Sequence, residues 1–288
     1  MSKPKVGWIG LGNMGTPIVK NLLKAGYGVQ VFNRTKEKEK EAVAAGAVSA
    51  TSPAAIIESC DIIFTMVSDD VAVKAVFDGK DGLLEKNHTG KLVIDMSTVS
   101  PETSRYLADR CLQRGIAFLE APVSGSVKPA QDGTLIILAG GEADAYAKAK
   151  PLFDVIGKLS LHLGGQGAGS SAKLAMNYFV ALTLQGLAEM VVFAEENGVK
   201  KEDMLTIMNE GSFGSPALKL KSSSLVANTF SPAFALKLMA KDLRLMKDAG
   251  LDTPMFPAVH DSYQQASQTA FAEEDVMAIF KYLEKKYR

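Results

Sequence analysis

Three histidines and two cysteines are all that 288 residues provide, and 32 basic side chains are balanced by 32 acidic ones. Each scarcity excludes something. Cys60 and Cys111 lie far apart with no metal-type spacing, so they read as buried, reduced thiols and not as ligands or nucleophiles. His88, His162 and His260 are scattered, and each reads as a surface or capping residue. No metal site is expected. A formal net charge of zero leaves no field to recruit nucleic acid or an anionic membrane. No segment reaches the roughly 20 apolar residues of a membrane span. The opening Met-Ser-Lys-Pro-Lys runs into a short strand without an apolar leader. The expectation is a cytoplasmic protein with no nucleic-acid and no membrane partner. Internal repeats and low-complexity tracts are also missing.

What is present is glycine in a telling place. Lys5 to Ile9 reads as a strand, followed at once by Gly10-Leu11-Gly12-Asn13-Met14-Gly15. Met14, Ile18 and Leu22 then recur four apart, with Val19 and Leu23 alongside, which is a helix stripe. Gly26 supplies the stop. G-x-G-x-x-G alone is a weak signal; between a strand and a helix it is the dinucleotide fingerprint. Gly10 makes the tight turn, Gly12 admits the pyrophosphate, and Gly15 lets helix and strand approach. The helix N-terminus offers free N–H groups to the phosphates.

The second strand, Val29 to Phe32, ends in Asn33-Arg34-Thr35. An NAD-binding strand usually carries an acid here for the ribose 2′-hydroxyl. A carboxylate would repel a 2′-phosphate, whereas Arg34 can pair with one, helped by Asn33 and Thr35. This favours NADP (NADPH) over NAD, with an arginine stacked on adenine as the plainer alternative.

Alternating elements follow. Helices are expected over 36–45, 53–59 and from Pro101 to about Arg114. Strands are expected over 61–67, 91–96, 116–120 and 134–139, an α/β doubly wound sheet. After Val67, Ser68 and Asp69 end one strand at the carboxyl edge where ligands sit, and Ser97-Thr98-Val99-Ser100-Pro101 ends another. Residues 121–133, Ala-Pro-Val-Ser-Gly-Ser-Val-Lys-Pro-Ala-Gln-Asp-Gly, read as a loop whose N–H groups can curl around an anion. Loops that long in compact domains tend to be functional.

Residues 165–177, Gly-Gln-Gly-Ala-Gly-Ser-Ser-Ala-Lys-Leu-Ala-Met-Asn, read as a glycine-rich hinge entering a long apolar helix to about Asn197. Lys173 and Asn177 are i and i+4, stacked on one face. A helix apolar nearly all round is expected to be buried, against other helices and a second subunit. The remainder reads as helices over 201–209, 216–227, 234–250, 257–270 and 274–287, with Ser215-Pro216 and Ser231-Pro232 as start signals. The expected layout is a Rossmann-type domain over 1–164 and an all-helical domain over 165–288 for substrate and oligomerisation.

Four motifs coincide: G-L-G-N-M-G, D-M-S-T-V-S-P, E-A-P-V-S-G-S-V-K-P-A-Q-D-G-T-L and G-x-G-x-x-x-K-x-x-x-N, with K-D-L later. Together they resemble the β-hydroxyacid dehydrogenase family over essentially the whole chain. Ser124-Gly125-Ser126 with Lys128-Pro129-Ala130, and Pro232-Ala233-Phe234 before Lys241-Asp242, look most like its glyoxylate/succinic semialdehyde reductases. The family's 3-hydroxyisobutyrate dehydrogenases more often read Ser-Gly-Gly at that loop.

The resemblance implies roles. Lys173 would give a proton to the carbonyl oxygen as hydride arrives from the nicotinamide, with partial burial and a nearby Lys241 lowering its pKa. Asn177 would orient substrate and lysine, and Ser124 and Gly125 would bind the substrate carboxylate. Thr98 would contact the nicotinamide side, Lys241 would reach over the cofactor, and Phe234 would line the pocket. The leading expectation is an NADPH-dependent reductase of glyoxylate or succinic semialdehyde, assembled as a homodimer or homotetramer. The alternatives are an NAD-dependent 3-hydroxyisobutyrate dehydrogenase and a non-catalytic dinucleotide-binding scaffold. Imine reduction on the same fold is disfavoured by Lys173.

Overall fold

The structure is a computed structural model, described here over residues 3–287. The chain forms two compact units, Met1–Leu174 and Ala175–Arg288.

The first unit is an α/β sheet domain. Its elements are β1 (Val6–Ile9), α1 (Gly15–Lys24), β2 (Val29–Phe32), α2 (Lys40–Ala44), β3 (Val48–Ser49), α3 (Pro53–Ser59), β4 (Ile62–Thr65) and α4 (Asp70–Asp78). They continue with β5 (Leu92–Asp95), α5 (Pro101–Leu112), β6 (Ala117–Glu120), β7 (Val123–Ser124), α6 (Val127–Asp132), β8 (Leu135–Gly141), α7 (Ala143–Ile156) and β9 (Gly157–His162). The strand order is β3-β2-β1-β4-β5-β6-β8-β7, with β9 on β8. Strands β1 to β6 pair in parallel, and β8 turns antiparallel to β6 and β7.

Strands β1, β4 and β5 are buried at every position, as in a sheet covered on both faces. Alternate residues go to opposite layers. Val6, Trp8, Ile62, Phe64, Leu92 and Ile94 pack with Ile18, Val19 and Leu22 of α1 and with α7. Ile9, Ile63, Val93 and Phe118 pack instead with Ile56 and Ile57 of α3, Phe77 of α4 and Leu107 of α5. Cys60 and Cys111 lie inside the second layer as free thiols, and burial pushes both thiol pKa values up.

Several sequence expectations are corrected. Residues 121–133 are not one open loop, because they hold β7 and the short helix α6. Val123 and Ser124 have ladder partners in Ile137 and Ile136, and Gly133, with φ +66°, ends α6. The helix expected over 36–45 begins as a 3₁₀ turn at Lys36–Glu39. There Glu39 takes the Asn33 amide and the Lys36 and Ser49 side chains. Helix α7 contains Pro151, the residue that hides it from a pattern search.

The long helix, α8, runs over Ala168–Glu196. By length and composition alone it is apolar enough to cross a membrane, contrary to expectation, with 44% of its most apolar window buried in the protein. Nor is it buried nearly all round, since Met176, Phe179 and Phe193 are exposed.

The second unit holds the rest of α8, then α9 (Lys201–Glu210), α10 (Pro216–Val226), α11 (Leu236–Asp248), α12 (Phe256–Ala266) and α13 (Ile279–Tyr287). Ser215 caps α10 by accepting from the Leu218 amide at 3.2 Å. Ser231-Pro232 starts no helix. Asp275 accepts from the amides of Ala233 and Phe234 at 3.2 and 3.4 Å, and Leu236 donates to the Glu274 carbonyl. These bonds hold Ala233 and Phe234 in a bend, with Ala235 bridged to Asp275, until α11 begins. The same Asp275 takes Lys221 Nζ at 2.5 Å and caps the 3₁₀ turn before α13 at the Met277 amide.

Candidate active site

The carboxyl ends of β1, β2, β4 and β5 carry the residues singled out for a cofactor, except Lys241 of α11. Gly10 has φ +104°, and a Cβ there would lie 2.1 Å from the Met66 carbonyl oxygen. Any side chain is excluded on both counts. A Cβ on Gly15 would lie 2.2 Å from the Gly10 carbonyl oxygen and 2.9 Å from the Trp8 indole nitrogen. Beside Gly12 the space is open to 4 Å. A tight turn, a close helix–strand contact and a clear approach fit a dinucleotide pyrophosphate at the head of α1. Leu11, Asn13 and Met14 complete this loop.

The end of β2 is tied to it. Asn33 Oδ1 accepts from the Leu11 amide at 2.9 Å, and its Nδ2 donates to the Thr35 carbonyl at 2.8 Å. Its amide side chain is thus committed to shaping the loop. Behind it sits buried Glu39, whose carboxyl burial would raise in pKa; hydrogen bonds from Lys36, Ser49 and the Asn33 amide outweigh that and hold it low. Arg34 is exposed and makes no hydrogen bond or ion pair to another described residue.

The ends of β4 and β5 are laced to each other. Val67 donates to Ser97 Oγ at 3.0 Å, and Ser97 Oγ donates to Asp95 Oδ1 at 2.7 Å. Thr65 Oγ1 reaches the same oxygen at 2.6 Å. Ser68 donates to Asp69, which caps α4, and the Ser100 amide donates to Asp70. Two short bends are thereby fixed around Thr98, which is half-buried. Asp95 is fully buried, and desolvation raises its carboxyl to about 6 against the hydrogen bonds from Thr65 and Ser97. Its Oδ2 has no hydrogen-bond partner among the described residues.

Ser124 and Gly125 stand where β7 passes into α6, with Gly125 at φ +133°. Lys173 lies in the second turn of α8, within the first unit.

In the second unit Asn177 is buried, and its Nδ2 donates to Asp242 Oδ2 at 2.5 Å. Lys241 Nζ stands 3.0 Å from the other oxygen of Asp242. One buried carboxylate therefore holds both the amide of Asn177 and the ammonium of Lys241. Nδ2 is the donor end of this amide and Oδ1 its acceptor end. Phe234 is half-buried just ahead of α11. Asp242 is the site residue that sequence reasoning missed. Its position in Lys-Asp-Leu beside a singled-out lysine was the available signal. Among the described residues no group of three or more His, Cys, Asp or Glu is placed to hold a metal.

Comparison with known proteins gives two family matches. Residues 5–165 match the NAD binding domain of 6-phosphogluconate dehydrogenase, and residues 167–283 match the NAD-binding region of NADP-dependent 3-hydroxyisobutyrate dehydrogenase. The chain is 38% identical to glyoxylate/succinic semialdehyde reductase 1 of Arabidopsis thaliana, covering 96% of this chain and 97% of that one. It is 34% identical to the chloroplastic reductase 2 of that plant, over 96% of this chain and 79% of the other. Among solved structures, the 3-hydroxyisobutyrate dehydrogenase of Mycobacterium tuberculosis with L-serine superposes at TM-score 0.88, with 28% identity over 98% and 99% of the two chains. Psf3 in complex with NADP+ and 2-OPP does so at 0.88, with 27% identity over 96% and 99%.

Proposed function

The chain belongs to the β-hydroxyacid dehydrogenase family, and on that premise we propose that it reduces small aldehyde acids, glyoxylate and succinic semialdehyde, with NADPH. What carries the reading is the end of β2. A neutral Asn33, bonded to the glycine loop, is followed by an exposed and unengaged Arg34. That pair offers a 2′-phosphate a cation and no competing carboxylate. The aldehyde-acid class rests on the names of the two plant reductases.

Bound NADPH would supply the hydride. Lys173 gives its ammonium proton to the carbonyl oxygen, so the aldehyde becomes an alcohol, and the amine regains a proton from solvent. Asn177 orients lysine and substrate, its own amide fixed by Asp242. Ser124 and Gly125 take the substrate carboxylate, the group that glyoxylate and succinic semialdehyde share. Phe234 borders the substrate. Gly10 to Gly15, Asn33 to Thr35, Val67, Ser68, Thr98 and Lys241 hold the cofactor. We read the exposed Met176, Phe179 and Phe193 of α8 as one face of a homodimer or homotetramer, which sedimentation equilibrium tests.

The test of the function is nicotinamide oxidation with glyoxylate, succinic semialdehyde and methylmalonate semialdehyde, each with NADPH and with NADH. Fast NADPH turnover of the first two is expected. Preference for NADH with the third would place the protein with the 3-hydroxyisobutyrate dehydrogenases instead.

A further inference from the structure

Glu120 is the last residue of β6 and is 1% exposed, yet nothing said so far of the reaction uses it. Its carboxylate is turned onto the start of α8. Oε1 accepts from the Gly169 amide at 2.8 Å, and Oε2 accepts from Ser170 Oγ at 2.5 Å. Ser170 Oγ also lies 2.8 Å from Ser104 Oγ of α5. Since the single hydroxyl hydrogen of Ser170 goes to Glu120, Ser104 is the donor in that pair. Ser104 and Ser170 are both buried. A chain of three hydrogen bonds thus joins β6, α5 and the first turn of α8.

The surrounding backbone is cut to admit this carboxylate. Glu120 pairs across the sheet with Gly140, and a Cβ on Gly140 would lie 2.3 Å from Glu120 Oε1. A Cβ on Gly169 would lie 2.3 Å from the Leu138 carbonyl oxygen of β8. Two glycines therefore let the first turn of α8 settle against β8 with the carboxylate between them. The Gly169 amide is one of the helix's initial N–H groups that no carbonyl within the helix can satisfy. A carboxylate there also meets the positive end of the helix dipole.

Lys173 follows Ser170 by three residues, one turn along and on the same side of α8. Rotation or axial slip of that turn moves the lysine's Cα and with it the reach of a long, flexible side chain. We infer that Glu120 is a positioning residue, which fixes the first turn of α8 through Gly169 and Ser170 and so sets where Lys173 presents its ammonium. The inference rests on the proposed role of Lys173. A carboxylate is needed because both partners donate, and both oxygens of an ionised acid accept. Glutamine offers one acceptor and turns N–H groups toward the serine, reversing the hydroxyl chain.

The test uses the full-length enzyme with NADPH and succinic semialdehyde, comparing Ser170→Ala, Glu120→Gln and the double variant. Because a small misplacement of a catalytic group costs up to about a hundredfold, each single variant should lose about tenfold in kcat, with KM and the NADPH Kd within about twofold. The two substitutions cut one link, so the double variant should fall no further than the worse single one. Amides at the start of α8 should exchange faster in each variant. Wild-type kcat in the variants overturns the inference and leaves the proposed function standing, as does a loss that appears in KM or in NADPH affinity alone. If the wild-type enzyme turns over no aldehyde acid, the proposed function fails and this role fails with it. Should Ser170→Ala fold poorly, Glu120→Gln alone decides on the same kcat, KM and exchange readings.

Discussion

At the end of β2 the proposed preference for NADPH comes down to one side chain. Asn33 stands where an acid would repel a 2′-phosphate, and its amide is already bound to the glycine loop. In the proposed function, discrimination therefore falls to Arg34. A charge-assisted bond is worth about 1.5–3 kcal/mol, so Arg34→Asp should lower the NADPH/NADH ratio of kcat/KM by at least about tenfold. An unchanged ratio would mean that the phosphate is held elsewhere. Asp95 makes a second prediction. Its carboxyl titrates at about 6 in the fold and at 3.8 ordinarily. The folded protein then binds more protons than the unfolded chain between those values, so this group's contribution falls as pH rises through the window. The loss, complete above about pH 6, amounts to about 3 kcal/mol. Denaturant unfolding of wild type and Asp95→Asn across this range should show stabilities that diverge in the variant's favour as pH rises. Parallel curves would refute the assignment. Asn33, Arg34 and Lys173 could be singled out in the sequence because local motifs frame them. Asp242 and Glu120 were not, because their partners lie 65 and about 50 residues away and only the fold brings them together.

At the scale of elements, legibility followed the strength of local pattern. β2 and α3 begin and end as the sequence suggests, since their ends are marked by a strand-end polar run and by Ser52 with Pro53. α6 was lost inside a run of small residues, and α7 behind Pro151. The strand β9 alternates Leu159, Ser160, Leu161 and His162, a signal too short to stand out in the sequence, and both leucines are exposed. The start of α11 depended on Asp275, some forty residues later in the chain. That aspartate serves Lys221 and the amides of Ala233, Phe234 and Met277 while 4% exposed. Removing one partner of a buried ion pair costs about 3–5 kcal/mol. Asp275→Ala should destabilise the second unit on that scale, measured by denaturant unfolding, with amide exchange rising first around residues 233–236 and 276–278. A loss below about 1 kcal/mol, the scale of an exposed pair, would contradict this reading.

At the scale of the whole molecule, the alternation of strands and helices followed by helices alone read correctly as an α/β chain with a helical C-terminal part. The glycine fingerprint fixed where a dinucleotide would lie, because a strand, a tight turn and a helix must follow one another closely in sequence. The side chains proposed to act on substrate and cofactor are less local. Lys173 belongs to the first compact unit and Asn177 and Lys241 to the second, although Lys173 and Asn177 share α8. In the proposed function Lys173 of this helix delivers a proton. That step is tested most directly by kcat of Lys173→Ala at saturating NADPH and succinic semialdehyde, with NADPH affinity measured beside it. The account predicts an unchanged affinity and a kcat lowered by at least about a hundredfold, the scale of lost acid catalysis. A kcat within a few-fold of wild type would contradict it.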